Sequence, residues 1–286
     1  MAETRTLSTL LGDYPITRAL RRGEIASPSV RLRFADVKSA SAGFKRVVRD
    51  LEFDVAELAI VTFLLAKAHG KPYVLLPAVV VGRFQHPYLV YDRERGPLAP
   101  GDLNGKRVGI RSYSVTTVTW VRGILAETYG VDLDSIAWTT FEEPHVAEFR
   151  DPPSVKRAAP GKDLLGMLLA GEIDAAILGG EAPSDSRIAP LIADPAAAAR
   201  AWREKHGAIQ INHMVTVKQG LSADVVREVY RLLVESKRAG GESDLPFGVE
   251  ANRRNLEIAI DYVHRQRLIP KRFTVDELFY DVTRAL

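Results

Sequence analysis

Apolar residues along this chain keep two rhythms, and the two take turns. Short runs in which every residue or every second residue is apolar predict strands, and apolar residues three and four apart predict helices. The pattern gives a strand over 7–11, a helix over 16–22, and an alternating strand over 30–37 that sets Val30, Leu32 and Phe34 against Arg31 and Arg33. A short helix over 44–50 precedes a strand over 53–59 and a helix over 61–69 closed by Gly70. Residues 73–81 form an apolar run interrupted by Pro77, and 88–91 a shorter one. Strands over 107–110, 136–141 and 175–178 then alternate with helices over 115–129 and 164–170, with a loop over 151–161 and a turn over 179–183. The last third holds a helix over 195–205, a strand over 213–217, and helices over 223–238, 250–266 and 275–284.

Strands alternating with helices predict an α/β protein with a largely parallel sheet. The patch Arg93-Glu94-Arg95-Gly96-Pro97-Leu98-Ala99-Pro100-Gly101 reads as a linker, as do the loops over 184–194. They delimit an inserted lobe of residues 92–190, with the other lobe formed from 1–91 plus 191–286. A length of 286 residues suits two lobes, since a domain averages ~150 residues.

Charge adds an exclusion. Net charge is +3, from 39 basic and 36 acidic residues, with no long basic run, so a nucleic-acid partner is not expected. A slightly basic chain can still focus positive potential on a small anion. Cysteine is absent, which excludes disulfides, Cys-ligated metal and a Cys nucleophile. The N-terminal run Leu7-Ser8-Thr9-Leu10-Leu11 lacks the apolar core of a secretory signal, Arg21-Arg22 is followed by polar residues, and no membrane partner is expected. The expected location is therefore cytoplasmic.

Three segments could carry chemistry. In Arg111-Ser112-Tyr113-Ser114-Val115-Thr116-Thr117 a strand leads through a hydroxyl-rich loop into a helix, whose unpaired first N–H groups and positive end suit an anion. Arg111 offers a two-pronged carboxylate contact there, and Ser112, Ser114, Thr116 and Thr117 offer hydroxyls. Ordinary helix capping accounts for the same Ser/Thr residues. Arg83 and His86, in Gly82-Arg83-Phe84-Gln85-His86, combine a carboxylate clamp with a group that titrates near neutrality, and fit a surface crossover equally well. In Phe141-Glu142-Glu143-Pro144-His145-Val146-Ala147-Glu148, carboxylates flank an imidazole, as an acid/base site or as a solvated loop. His213 heads a strand and is a further candidate. A metal held by His86, His145 and His213 with Glu57 or Glu142 has no compact ligand spacing behind it, so no metal is expected. Neither a phosphate-binding loop nor a nucleophile elbow occurs.

At these segments the sequence resembles the 4,5-dihydroxyphthalate decarboxylase family, which is similar in fold to type II periplasmic solute-binding proteins. The matching stretches are Gly12-Asp13-Tyr14, Phe53 to Ala59, Gly82 to His86, Gly109 to Thr117 with Trp120-Val121-Arg122-Gly123, His145 to Glu148, Gly171 to Ala176, and Ile211-Asn212-His213. The resemblance implies a two-lobed periplasmic-binding-protein-like fold with a ligand cleft between the lobes. It also implies cofactor-independent decarboxylation of a dihydroxylated phthalate to a dihydroxybenzoate such as protocatechuate. Arg83 and Arg111 with Ser112, Tyr113, Thr116 and Thr117 would clamp a small aromatic carboxylate, joined by Asp13 and Tyr14. His86, His145 and His213, assisted by Glu57 or Glu142, would move protons, and which histidine does which job stays open. A non-catalytic aromatic-acid binding protein and a related lyase for another cyclic acid are the rival readings. A homo-oligomer is compatible with all three.

Overall fold

The computed structural model describes residues 4–180 and 183–286. Contacts divide the chain into two compact units, one made of residues up to Gly82 together with Ile211–Leu286, the other of Arg83–Gln210. The boundaries expected at 91/92 and 190/191 both lie inside the second unit, because the segments just outside them pair or pack with its elements.

The first unit begins with β1 (Arg5–Leu10), α1 (Pro15–Arg21), β2 (Val30–Phe34), α2 (Phe44–Val48), β3 (Val55–Ala59), α3 (Ile60–Ala68) and β4 (Tyr73–Gly82). The second unit supplies β5 (Leu89–Asp92), β6 (Arg107–Ile110), α4 (Thr116–Tyr129), β7 (Ala137–Thr140), β8 (Lys156–Arg157), α5 (Leu164–Leu169), β9 (Ala175–Ile177), β10 (Ile188–Pro190) and α6 (Pro195–His206). The chain returns through β11 (Ile211–Lys218), α7 (Ala223–Ala239), α8 (Val249–Arg265) and α9 (Asp281–Arg284) to complete the first unit.

The first sheet runs β2-β1-β3-β11-β4. β1 pairs in parallel with β2 and β3, whereas β11 is antiparallel to both β3 and β4. The second sheet, β10-β5-β9-β6-β7-β8, is likewise mixed. The expectation of a largely parallel sheet therefore holds for β1, β2 and β3 and for β6, β7, β8 and β9, and fails where β5, β10 and β11 pair antiparallel with their neighbours. Pro77 is accommodated because β4 is an edge strand, where a missing ladder donor costs little. Leu7, Val55, Val74, Leu76, Val215 and Val217 pack against Val226, Val229, Leu232 and Leu233 of α7 to form the first core. The second gathers Val90, Leu168, Ile173, Ala176, Leu178 and Ile188.

Three local expectations change. The helix expected over 275–284 is a 3-10 turn at Asp276–Leu278, an extended Phe279–Tyr280 and then α9. Segments read as loops contain β8 and β10, each too short to show a period. The turn expected over 179–183 includes Glu181 and Ala182, which lie outside the described residues. Among the described residues no helix is long and apolar enough to cross a membrane.

Candidate active site

In the first unit the register of two strands brings an acid and an imidazole together. Val215 pairs with Glu57 and His213 with Ala59, so His213 is the diagonal, same-face neighbour of Glu57. His213 Nδ1 lies 2.5 Å from Glu57 Oε1. The Tyr14 hydroxyl donates to the same oxygen at 2.5 Å, and the Gly12 N–H donates to Oε2 at 2.8 Å. Glu57 is completely buried, while the His213 side chain retains 19% exposure. Burial together with the Glu57 charge pushes the Tyr14 phenol above its usual range, so it stays a donor at neutral pH. Phe44 of α2 meets the His213 ring edge-on at 5.2 Å between centroids. Gly12 is required by the close approach of Tyr14, because a Cβ there would fall 2.4 Å from Tyr14 Cζ.

An imidazole whose Nδ1–H is held by a buried carboxylate has its tautomer fixed and its Nε2 left for proton exchange. Asp13, beside this cluster in sequence, instead pairs with Arg18 at 3.1 Å on the surface. Its exposed side chain already has a cationic partner there.

In the second unit, Arg111 stands at the end of β6 and α4 begins five residues later. Its Nε lies 3.1 Å from Glu142 Oε2, and its Nη2 lies 3.4 Å from His145 Nε2. A guanidinium only donates, so at this contact His145 accepts through Nε2. The 140s loop is held to Arg111 by backbone as well, since Phe141 and Glu142 both donate N–H to its carbonyl, at 3.1 and 2.7 Å. Ser112, Thr116 and Thr117 are buried, and the Ser112 hydroxyl has no partner among the described residues. The cap residue of α4 is Val115, whose side chain cannot bond the first-turn N–H groups. Simple capping therefore does not account for this hydroxyl-rich turn.

Tyr113 is buried against Arg122, with the guanidinium 3.7 Å from its ring centre. Arg83 donates to the Gly179 carbonyl at 2.7 Å and stacks over Tyr88 at 4.3 Å. His86 is 2% exposed, its Nδ1 has no partner among the described residues, and burial lowers its pKa to about 4. Thus Glu57, His213 and Tyr14 are gathered in one unit, and Arg111, Glu142 and His145 in the other. Among the described residues no group of three His, Asp or Glu side chains is arranged to hold a metal ion. The residue reading missed two groups. Gly12 acts through a backbone N–H, which side-chain chemistry does not reveal. Arg122 showed itself only as a charge among the apolar positions Val118, Val121 and Leu125.

Two mixed α/β units, the first made from both ends of the chain, define the type II periplasmic-binding-protein class of fold. Solved structures share it: the alkanesulfonate-binding protein SsuA from Xanthomonas axonopodis pv. citri bound to MOPS matches with TM-score 0.56 and 15% identity over 98% of this chain and 99% of that one. The periplasmic aliphatic sulphonate binding protein SsuA from Escherichia coli gives TM-score 0.58 and 11% identity over 99% and 100%. The desulfurization enzyme DSZB gives 0.54 and 13% over 98% of both chains. No protein-family model matches the chain. Among curated proteins, a 4,5-dihydroxyphthalate decarboxylase from Comamonas testosteroni is 30% identical over 229 residues, 76% of this chain and 69% of the relative. One from Pseudomonas putida is 30% identical over 209 residues, 68% and 80%. The chain belongs to the 4,5-dihydroxyphthalate decarboxylase family.

Proposed function

We propose that this protein decarboxylates a dihydroxylated phthalate, 4,5-dihydroxyphthalate in the first instance, to protocatechuate. The observation that carries this reading is the His213–Glu57 contact at 2.5 Å, in a chain 30% identical to enzymes named for that reaction. Losing carbon dioxide from an aromatic ring requires a proton at the carbon that bears the departing carboxylate. The hydroxyl para to that carbon, once ionised, pushes electron density onto it. The carbon then takes a proton, the carbon–carboxylate bond breaks, and its electrons restore the aromatic ring. One proton enters and one carbon dioxide leaves.

In this reading His213 delivers that proton from Nε2. Glu57 holds Nδ1 and stabilises the imidazolium, and Tyr14 and Gly12 hold Glu57. His86 is a poor donor, because burial leaves it neutral at pH 7. Arg111, with the Ser112 hydroxyl and the first turn of α4, binds carboxylate; Glu142 occupies Arg111 until substrate arrives. Arg83, Tyr113, Thr116 and Thr117 shape this anion-binding region, and the role expected for Asp13 is the weakest, given its surface pairing with Arg18. The proposal includes a cytoplasmic location, supported by the curated relatives being named as enzymes, and cell fractionation tests it.

The deciding experiment incubates the purified, chelator-treated protein with 4,5-dihydroxyphthalate while the ultraviolet spectrum and carbon dioxide release are followed. Formation of protocatechuate establishes the reaction. Calorimetric binding without turnover would make the chain an aromatic-acid binding protein, and neither binding nor turnover would overturn the substrate class.

A further inference from the structure

Arg122 is the one fully buried cationic side chain among the described residues. It lies in α4, among the buried Val118, Val121 and Leu125, where an apolar residue would pack with no electrostatic cost. Its guanidinium is 3.7 Å from the centre of the Tyr113 ring and 5.8 Å from that of Trp138, and Nη2 donates to the Tyr113 carbonyl at 2.8 Å. Nε and Nη1 have no hydrogen-bond partner among the described residues. The Asp151 carboxylate pairs instead with Arg157, at 3.9 Å, and its Oδ1 is buried without a hydrogen bond among the described residues. Burial lowers the Arg122 pKa to about 10 and raises that of Asp151.

A buried charge with incomplete pairing is costly, and apolar residues of similar volume often replace such groups without loss of stability. What the guanidinium supplies instead is attachment. Through Tyr113 it grips the loop that carries Arg111 and Ser112. Arg111 in turn holds the 140s loop, through Glu142 and His145 and through the N–H groups of Phe141 and Glu142.

We infer that Arg122 is a positioning residue: its stacked, hydrogen-bonded guanidinium holds the Arg111–Ser114 loop, and through Arg111 the 142–145 segment, in the arrangement that binds carboxylate. For its substrate this inference rests on the decarboxylase reading; for the attachment it rests on geometry alone. A core-filling role makes a different prediction, because Arg122→Met keeps length and apolar contact and would leave both loops unchanged.

The test compares wild type with R122M and R122K. Amide hydrogen exchange over 111–117 and 142–148 is measured without ligand, and kcat and KM with 4,5-dihydroxyphthalate. In R122M, exchange at Ser112 to Thr116 should accelerate at least tenfold and KM rise at least tenfold, with a smaller change in kcat and a melting temperature near that of wild type. R122K should recover part of the KM, since Lys can reach the Tyr113 carbonyl but cannot stack as a planar fork. Wild-type exchange and KM in folded R122M would overturn the inference. Should R122M fail to fold, R122K decides: faster exchange and a KM above wild type support it, and wild-type values overturn it. If wild type does not turn over the substrate, the decarboxylase reading falls while the exchange rates still decide the attachment.

Discussion

Glu57 occupies the middle of β3, a strand whose five residues are all buried, and an isolated carboxylate there would be severely destabilising. It is tolerated because the Gly12 N–H, the Tyr14 hydroxyl and His213 Nδ1 all converge on it. Such a carboxylate is costly to keep and useful for holding an imidazole in one orientation. Replacing His213 with Ala should lower kcat by ~100- to 10,000-fold, the range for general acid–base groups. Glu57→Gln keeps the shape and removes the charge, and should cost a comparable factor; circular dichroism confirms folding in both. Activity within a few-fold of wild type in either variant would remove His213 as proton donor. His86 gives a stability prediction of opposite character. Its folded pKa, about 4, lies below the usual 6.5, so between these values the unfolded chain binds more protons. Its contribution is therefore complete above about pH 6.5 and fades as pH falls towards 4, by about 3 kcal/mol at ~1.4 kcal/mol per unit. Denaturant titrations at pH 7 and pH 4 should show wild type losing about that much more stability than His86→Gln.

At the scale of elements, the loop between β1 and α1 works because it is small where Tyr14 folds back. Gly12→Ala would place a methyl 2.4 Å from the Tyr14 ring, displacing the hydroxyl that binds Glu57. The expected result is a kcat at least tenfold lower with a smaller change in KM, since Arg111 and its neighbours are untouched; an unchanged kcat would mean Tyr14 is not needed there. The strong elements were legible from pattern alone: α4 ends where Gly130 takes the left-handed conformation, and α6 is opened by Asp194 and Pro195 and closed by Gly207. The 275–284 segment was not legible as it stands. Its apolar spacing suits a helix, but Phe279 and Tyr280 turn extended where Phe279 is buried and Tyr280 packs against the first core.

At the scale of the molecule, the sheet order carries a folding prediction. β11 lies between β3 and β4, so residues 1–82 alone lack a strand from the middle of their sheet. Residues 83–210 contain every strand of the second sheet. Expressed separately, 83–210 should melt cooperatively and 1–82 should not, as read by circular dichroism; cooperative melting of 1–82 would contradict this. The sequence by itself determined the alternation of strands and helices, most helix ends, and the residue types able to bind carboxylate or move protons, because periodicity, caps and side-chain chemistry are local. Only the tertiary structure decided that His213 meets Glu57 rather than Glu142, that Arg111 meets Glu142 and His145, and that His86 is sealed from water. Those choices depend on strand register and burial, set by residues 156 apart in the chain for His213 and Glu57, and no local pattern encodes them.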